Sequence, residues 1–80
     1  MTAELLEYLA RGLVDEPDAV RVEKAEREDG ITVLKLHVAP DDVGKVIGRQ
    51  GRLVRALRVV VRATAARSRE RVVVEIAEGE

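Results

Sequence analysis

Two glycines three residues apart, set between two helical patterns, constrain this chain more than any other feature. They stand in Val46-Ile47-Gly48-Arg49-Gln50-Gly51. Ahead of them, Asp41 is placed to cap a helix and Asp42 adds favourable first-turn charge. Val43, Val46 and Ile47 then fall at spacings of three and four, and Gly48 stops the run. Behind them the pattern is helical from Arg52 to Arg67. Leu53, Leu57, Val60, Val61 and Thr64 mark one face, and Arg52, Arg55, Arg58 and Arg62 mark another. Val59-Val60-Val61 has strand character, but no breaker separates it from Ala56-Leu57 or from Ala63-Thr64-Ala65-Ala66. The helix therefore runs through it, giving a helix–Gly-x-x-Gly–helix core over 41–67.

The flanking residues supply a sheet and one more helix. Thr2 suits an N-cap, and Leu5, Leu6, Leu9 and Leu13 repeat at helical spacing, which predicts a helix over 3–14. Pro17 ends it, because the residue before a proline avoids helical backbone. Val20 and Val22 alternate with charged residues and predict a strand over 19–27. Glu28-Asp29-Gly30 is a turn signal, and Leu34, Leu36 and Val38 alternate with Lys35 and His37 in a second strand over 31–38. Val72 to Ile76 makes the last strand, and Gly79-Glu80 is a tail. The order is α-β-β-α-α-β, an α+β fold in one domain over 1–80. A helical crossover leads to the last strand, so parallel pairing with the first strand is expected, in a three-stranded sheet with helices on one face.

The net charge of −1 hides a segregation. Residues 1–42 balance at −6, residues 43–71 at +8 and residues 72–80 at −3. Exposed charges are screened beyond about 8 Å at physiological salt, so the basic middle attracts anions on its own account. The chain has no cysteine and one histidine, which excludes disulfides, thiolate metal sites and histidine clusters. Asp41 and Asp42 have no nucleophile or second base beside them, and His37 alternates away from the apolar residues; no catalytic constellation results. Tyr8 is the only aromatic residue, so binding by stacking on aromatic platforms is not expected. No apolar run approaches the roughly 20 residues of a membrane span, and the acidic start is unlike a signal peptide; the expected compartment is the cytoplasm.

The loop has the physics of an anion cradle. Glycine tolerates positive φ and lets another backbone approach. The first amides of a helix carry the positive end of its dipole, and Arg49, Gln50 and Arg52 add charge and hydrogen bonds. A P-loop would need Lys-Ser/Thr after its last glycine, and a dinucleotide fingerprint would need Gly-x-Gly directly after a strand; neither is present. Gly44 suits either close packing of the short helix on the long one or an open groove.

Ala39-Pro40-Asp41-Asp42-Val43-Gly44-Lys45-Val46-Ile47-Gly48-Arg49-Gln50-Gly51 resembles the signature of a K-homology (KH) domain. The element order is similar to the bacterial type II arrangement, and nearly the whole chain resembles the small single-domain KH proteins of the KhpA family. That resemblance implies a cytoplasmic single-stranded RNA binder with no catalysis and no cofactor. It implies that Gly48, Arg49, Gln50 and Gly51 hold the backbone of about four nucleotides. Gly44 and Ile47, with Val43 beside them, would form the short-helix wall of a groove, and Arg52 and Arg55 would supplement the phosphate contacts. The second strand near Leu36-His37-Val38 would form the opposite wall. The resemblance further implies a Jag-type KH partner (KhpB), homodimerisation, and roles in RNA chaperoning, post-transcriptional control, and cell-wall and cell-length homeostasis. The rival expectation is a protein-interaction adaptor whose KH fold serves mainly to dimerise, through the leucine face of helix 3–14 or spare apolar area on the long helix.

Overall fold

A computed structural model describes residues 2–77; the Gly79-Glu80 tail lies outside the described residues. Helix α1 spans Thr2–Arg11 and buries Leu6 and Ala10. It stops three residues earlier than the spacing predicts. Gly12 and Leu13 donate to the carbonyls of Leu9 and Ala10 at 3.2 and 3.0 Å, so the last turn tightens and closes before Pro17 is reached. Leu13 and Val14 still pack on the core from the following loop. Thr2 is the first residue of α1 rather than its cap, and its buried hydroxyl donates to Glu70 Oε1 at 3.0 Å.

Strands β1 (Arg21–Glu26) and β2 (Thr32–His37) form an antiparallel hairpin with Arg21 opposite His37 and Glu26 opposite Thr32. Its turn is held by Asp29, whose carboxylate accepts from the Ile31 amide at 3.1 Å and the Arg27 guanidinium at 2.7 Å. Strand β3 (Val72–Ile76) is parallel to β2, with Thr32 opposite Val72 and Leu36 opposite Ile76. The sheet order is β1-β2-β3. The expected pairing of the last strand with the first is therefore corrected: β3 lies against β2 and does not touch β1. The crossover helices leave from the end of β2, so the shortest return brings β3 beside the strand just left. Composition agrees. Leu34 and Leu36 make β2 the buried centre, whereas five of the six β1 residues are exposed, as suits a charged edge.

A short 3-10 turn at Pro40–Asp42 leads into α2 (Val43–Ile47), and a second at Arg49–Gly51 leads into α3 (Arg52–Arg67). Helix α3 meets the core through Val54, Leu57, Val61 and Ala65. Of the expected face, Leu57 and Val61 are buried, while Leu53 and Thr64 are half-buried and Val60 is exposed, so the seam is rotated toward Val54 and Ala65. A helix turns about 100° per residue, so three consecutive valines cannot share one face. Val61 goes inward, while Val60 and Val59 are left 45% and 65% exposed. Leu6 and Ala10 of α1, Val46 of α2 and Val61 of α3 cover Leu34, Leu36 and Val74 in one core.

Asp42 locks the loop after α1 to the start of α2. It occupies the N-cap position but makes no capping bond; its carboxylate accepts from the Glu16 amide at 3.1 Å and lies 3.6 Å from Lys45 Nζ. Asp41, expected as the cap, is exposed. Burial works against charge on Asp42, but the Asp15 and Glu16 amides and Lys45 hold its carboxyl below the usual aspartate value. After α3 the chain closes with Arg69 at φ 59°. The Glu70 amide donates to Ala65 O at 2.8 Å and the Arg69 amide to Ala66 O at 3.1 Å, the paired bonds of a Schellman motif.

Candidate nucleic-acid interface

The loop between α2 and α3 is fixed by backbone conformation and by space. Gly48 has φ 78° and ψ 171°, a region open in practice only to glycine. A Cβ there would also lie 2.6 Å from Leu53 Cβ and 2.9 Å from the Leu53 nitrogen. Gly51 has φ 74° and ψ 14°, and a Cβ there would meet nothing within 4 Å. Gln50, between them, is also left-handed at φ 57°. The Gly48 amide donates to Gly44 O at 2.9 Å and the Gly51 amide to Gly48 O at 3.1 Å, so the turn is closed at both ends. Arg49 and Gln50 are exposed at its tip.

Charge around the loop is arranged by α3. No acidic residue occupies its first turn, and Arg52 is exposed there. Arg55 folds back. Its guanidinium donates to Gln50 O at 2.7 Å and to Gly51 O at 3.3 Å, so it braces the two left-handed residues. Lys45 lies 3.0 Å from the Asp15 carboxylate; that pairing, with Asp42 nearby, raises its pKa.

Beside the loop is a cleft of about 380 Å³ lined by Ile47, Val54, Arg58, Glu75 and Ile76. Of the residues named from sequence, Gly48 to Gly51 form the loop, Arg52 and Arg55 flank it, and Ile47 enters the cleft. Gly44 is exposed and a Cβ on it would meet nothing within 4 Å, so it faces open space rather than permitting close packing. The strand wall needs correction. It is β3, through Glu75 and Ile76, because β2 is the middle strand and β3 is the edge next to α3. His37 looks elsewhere: its Nε2 lies 2.7 Å from Glu23 Oε1 on β1, and that contact lowers the Glu23 pKa. Sequence reasoning missed Val54, Arg58, Glu75 and Ile76. Arg58 was visible only as one of four stripe arginines; the distinguishing fact is its Nε bond to Val74 O at 3.2 Å.

Among the described residues no group of three or more His, Cys, Asp or Glu is placed to hold a metal ion, and no helix is long and apolar enough to cross a membrane. The α-β-β-α-α-β order with a mixed three-stranded sheet is the type II KH arrangement. The family model described as KhpA/KhpB, KH domain, matches residues 3–76. The chain is 52% identical over 73 residues to "RNA-binding protein KhpA" of Clostridium acetobutylicum, covering 91% of this chain and 96% of that one. It is 50% identical over 76 residues to the protein of that name from Treponema pallidum, covering 95% and 94%. With the Streptomyces coelicolor protein of that name it shares 52% over 67 residues, 84% of each. A glycine loop closed between two helices, on a sheet of this order, thus comes with close relatives along nearly its whole length: the chain belongs to the KhpA/KhpB family of KH domains.

Proposed function

We propose that this chain binds single-stranded RNA, without catalysis, by gripping its backbone at Gly48–Gly51 and laying bases in the cleft beside it. The observation that carries this is the pairing of an exposed Arg49-Gln50 tip, between two conformationally fixed glycines, with a cleft of mixed aliphatic and charged lining beside a basic helix. Gly48, Arg49, Gln50 and Gly51 hold the phosphate chain. Gly44 and Ile47 form the short-helix side of the groove. Arg52 adds positive charge, and Arg55 does so from a position fixed by the loop carbonyls. With about three phosphates neutralised, the log–log salt dependence has a slope of about −2. Arg49→Asp combined with Gln50→Asp tests the assignment, since both side chains are exposed and the fold should survive. Binding to a labelled oligouridylate should disappear while circular dichroism is unchanged; undiminished binding would remove the loop from the site.

The same proposal places the protein in the cytoplasm with a Jag-type KH partner, KhpB. RNA chaperoning, post-transcriptional control, and cell-wall and cell-length homeostasis are the processes it would serve. A single groove for about four nucleotides binds weakly, and joining two grooves raises avidity without new contacts. One observation favours a second reading as a dimerising adaptor: Leu9, Leu13, Leu53, Ala56, Leu57 and Val60 line an apolar groove between α1 and α3. Sedimentation with and without RNA separates the two. A tight dimer that ignores RNA favours the adaptor.

A further inference from the structure

The cleft beside the loop contains an anchored cation that the backbone clamp does not use. Arg58 is half-buried, and its Nε donates to Val74 O at 3.2 Å. Ile47, Val54 and Ile76 give the same space aliphatic walls, and exposed Glu75 completes the lining. Arg58 and Glu75 carry opposite charges, so a phosphate gains less here than at the loop, where Arg49 and Arg52 stand without an acid in the first turn of α3. A flat, neutral base suits the cleft better.

The chemistry of the guanidinium then discriminates among bases. Arginine carries five N–H donors in a planar fork and no acceptor. One donor is engaged by Val74, which fixes the plane of the rest. Guanine offers adjacent acceptors at O6 and N7, and cytosine at O2 and N3; on adenine and uracil each of these acceptors sits beside a donor. We propose that Arg58 is a specificity-determining residue, making the cleft prefer a base with two adjacent acceptors, guanine or cytosine, over adenine and uracil. This rests on the RNA-binding role proposed for the loop.

The test uses the full chain and fluorescence anisotropy with four labelled RNA octamers. One is oligouridylate, and the others carry a single central adenosine, cytidine or guanosine. The parent protein should bind the cytidine or the guanosine octamer about tenfold or more tighter than the other two, the size of one good bidentate contact; which of the two is tighter identifies the base. Arg58→Gln should erase that difference, bringing the cytidine and guanosine octamers to the affinity of the other two. Arg58→Lys keeps the charge but loses the fork, so it should also erase the difference with an unchanged salt slope. If the glutamine variant does not fold, the lysine variant decides. Equal binding of all four octamers by the parent overturns the role of Arg58 and leaves the loop standing. Discrimination kept in Arg58→Lys, or a uniform loss on all four, overturns it too. No binding of any octamer removes the RNA-binding role and this inference together.

Discussion

Alanine placed in turn at Gly44, Gly48 and Gly51 separates space from backbone conformation. At Gly48 both oppose the substitution. Its φ 78°, ψ 171° conformation costs a non-glycine residue about 1–3 kcal/mol. The new Cβ would also sit 2.6 Å from Leu53 Cβ and 2.9 Å from the Leu53 nitrogen. Neither atom can rotate away, because a Cβ is as fixed by the backbone as the nitrogen at the head of α3, so overpacking adds about 1–3 kcal/mol. The sum, about 2–6 kcal/mol, is a large part of the roughly 5–15 kcal/mol that keeps a domain folded. At Gly51 only conformation opposes alanine, because nothing lies within 4 Å, and left-handed backbone costs about 1–2 kcal/mol. At Gly44 neither opposes it, and relief of glycine in a helix contributes about 0.5–1 kcal/mol. Thermal unfolding followed by circular dichroism should rank the variants Gly44→Ala, Gly51→Ala, Gly48→Ala from most to least stable. In a domain of this size each kcal/mol moves Tm by about 4–8 °C, so the spacing is resolvable. If Gly44 forms the short-helix side of the groove as proposed, Gly44→Ala should nonetheless bind RNA more weakly. A Gly48→Ala protein as stable as Gly51→Ala would refute the steric argument, and a Gly44→Ala protein with undiminished affinity would take that glycine out of the groove.

Arg55→Lys retains charge but cannot fork both the Gln50 and Gly51 carbonyls. Losing about 1 kcal/mol of bracing should weaken RNA binding several-fold and lower the NMR order parameters of the loop; parental affinity would mean that only the charge matters. Arg69→Gly relieves a left-handed arginine at the end of α3 and should raise stability by about 0.5–1 kcal/mol in a denaturant titration. Asp42 has a folded pKa below its ordinary 3.8, so the stability it contributes is present above that value and lost as pH falls through the lower folded one. Asp42→Asn should therefore be less stable at neutral pH and lose less of its stability in acid, as melting curves across the acid range would show.

The fold was legible where pattern and chemistry agreed. Leu34 and Leu36 alternating with Lys35 and His37 located β2, and the stop at Gly48 located the loop, because each depends on neighbouring residues alone. What failed was long-range. Whether β3 pairs with β1 or β2 is decided by where the crossover helices start and by which strand can be buried, and periodicity within β3 is silent on both. The strand beside the cleft was a separate expectation, carried over from the resemblance as Leu36–Val38; the cleft is lined instead by Glu75 and Ile76 of β3, the edge strand that packs next to α3.

The arginine stripe shows a second limit of sequence reading, with a functional consequence. Steps of three and four put Arg52, Arg55, Arg58 and Arg62 along one side of a helix, which reads as a uniform basic surface. The structure divides them by what each side chain reaches. Arg52 and Arg62 are exposed, Arg55 is turned onto loop carbonyls, and Arg58 is anchored in the cleft on Val74. Lys45, equally basic in the count, is paired with Asp15 and Asp42. The positive field that faces an approaching phosphate is thus narrower than a charge of +8 over residues 43–71 suggests. At the start of α3 it comes from Arg49, Arg52 and the braced loop, while exposed Arg67, Arg69 and Arg71 lie at and beyond the other end of the helix. On the function proposed above, a site built this way would grip a strand at one point and leave the adjoining cleft to distinguish its bases.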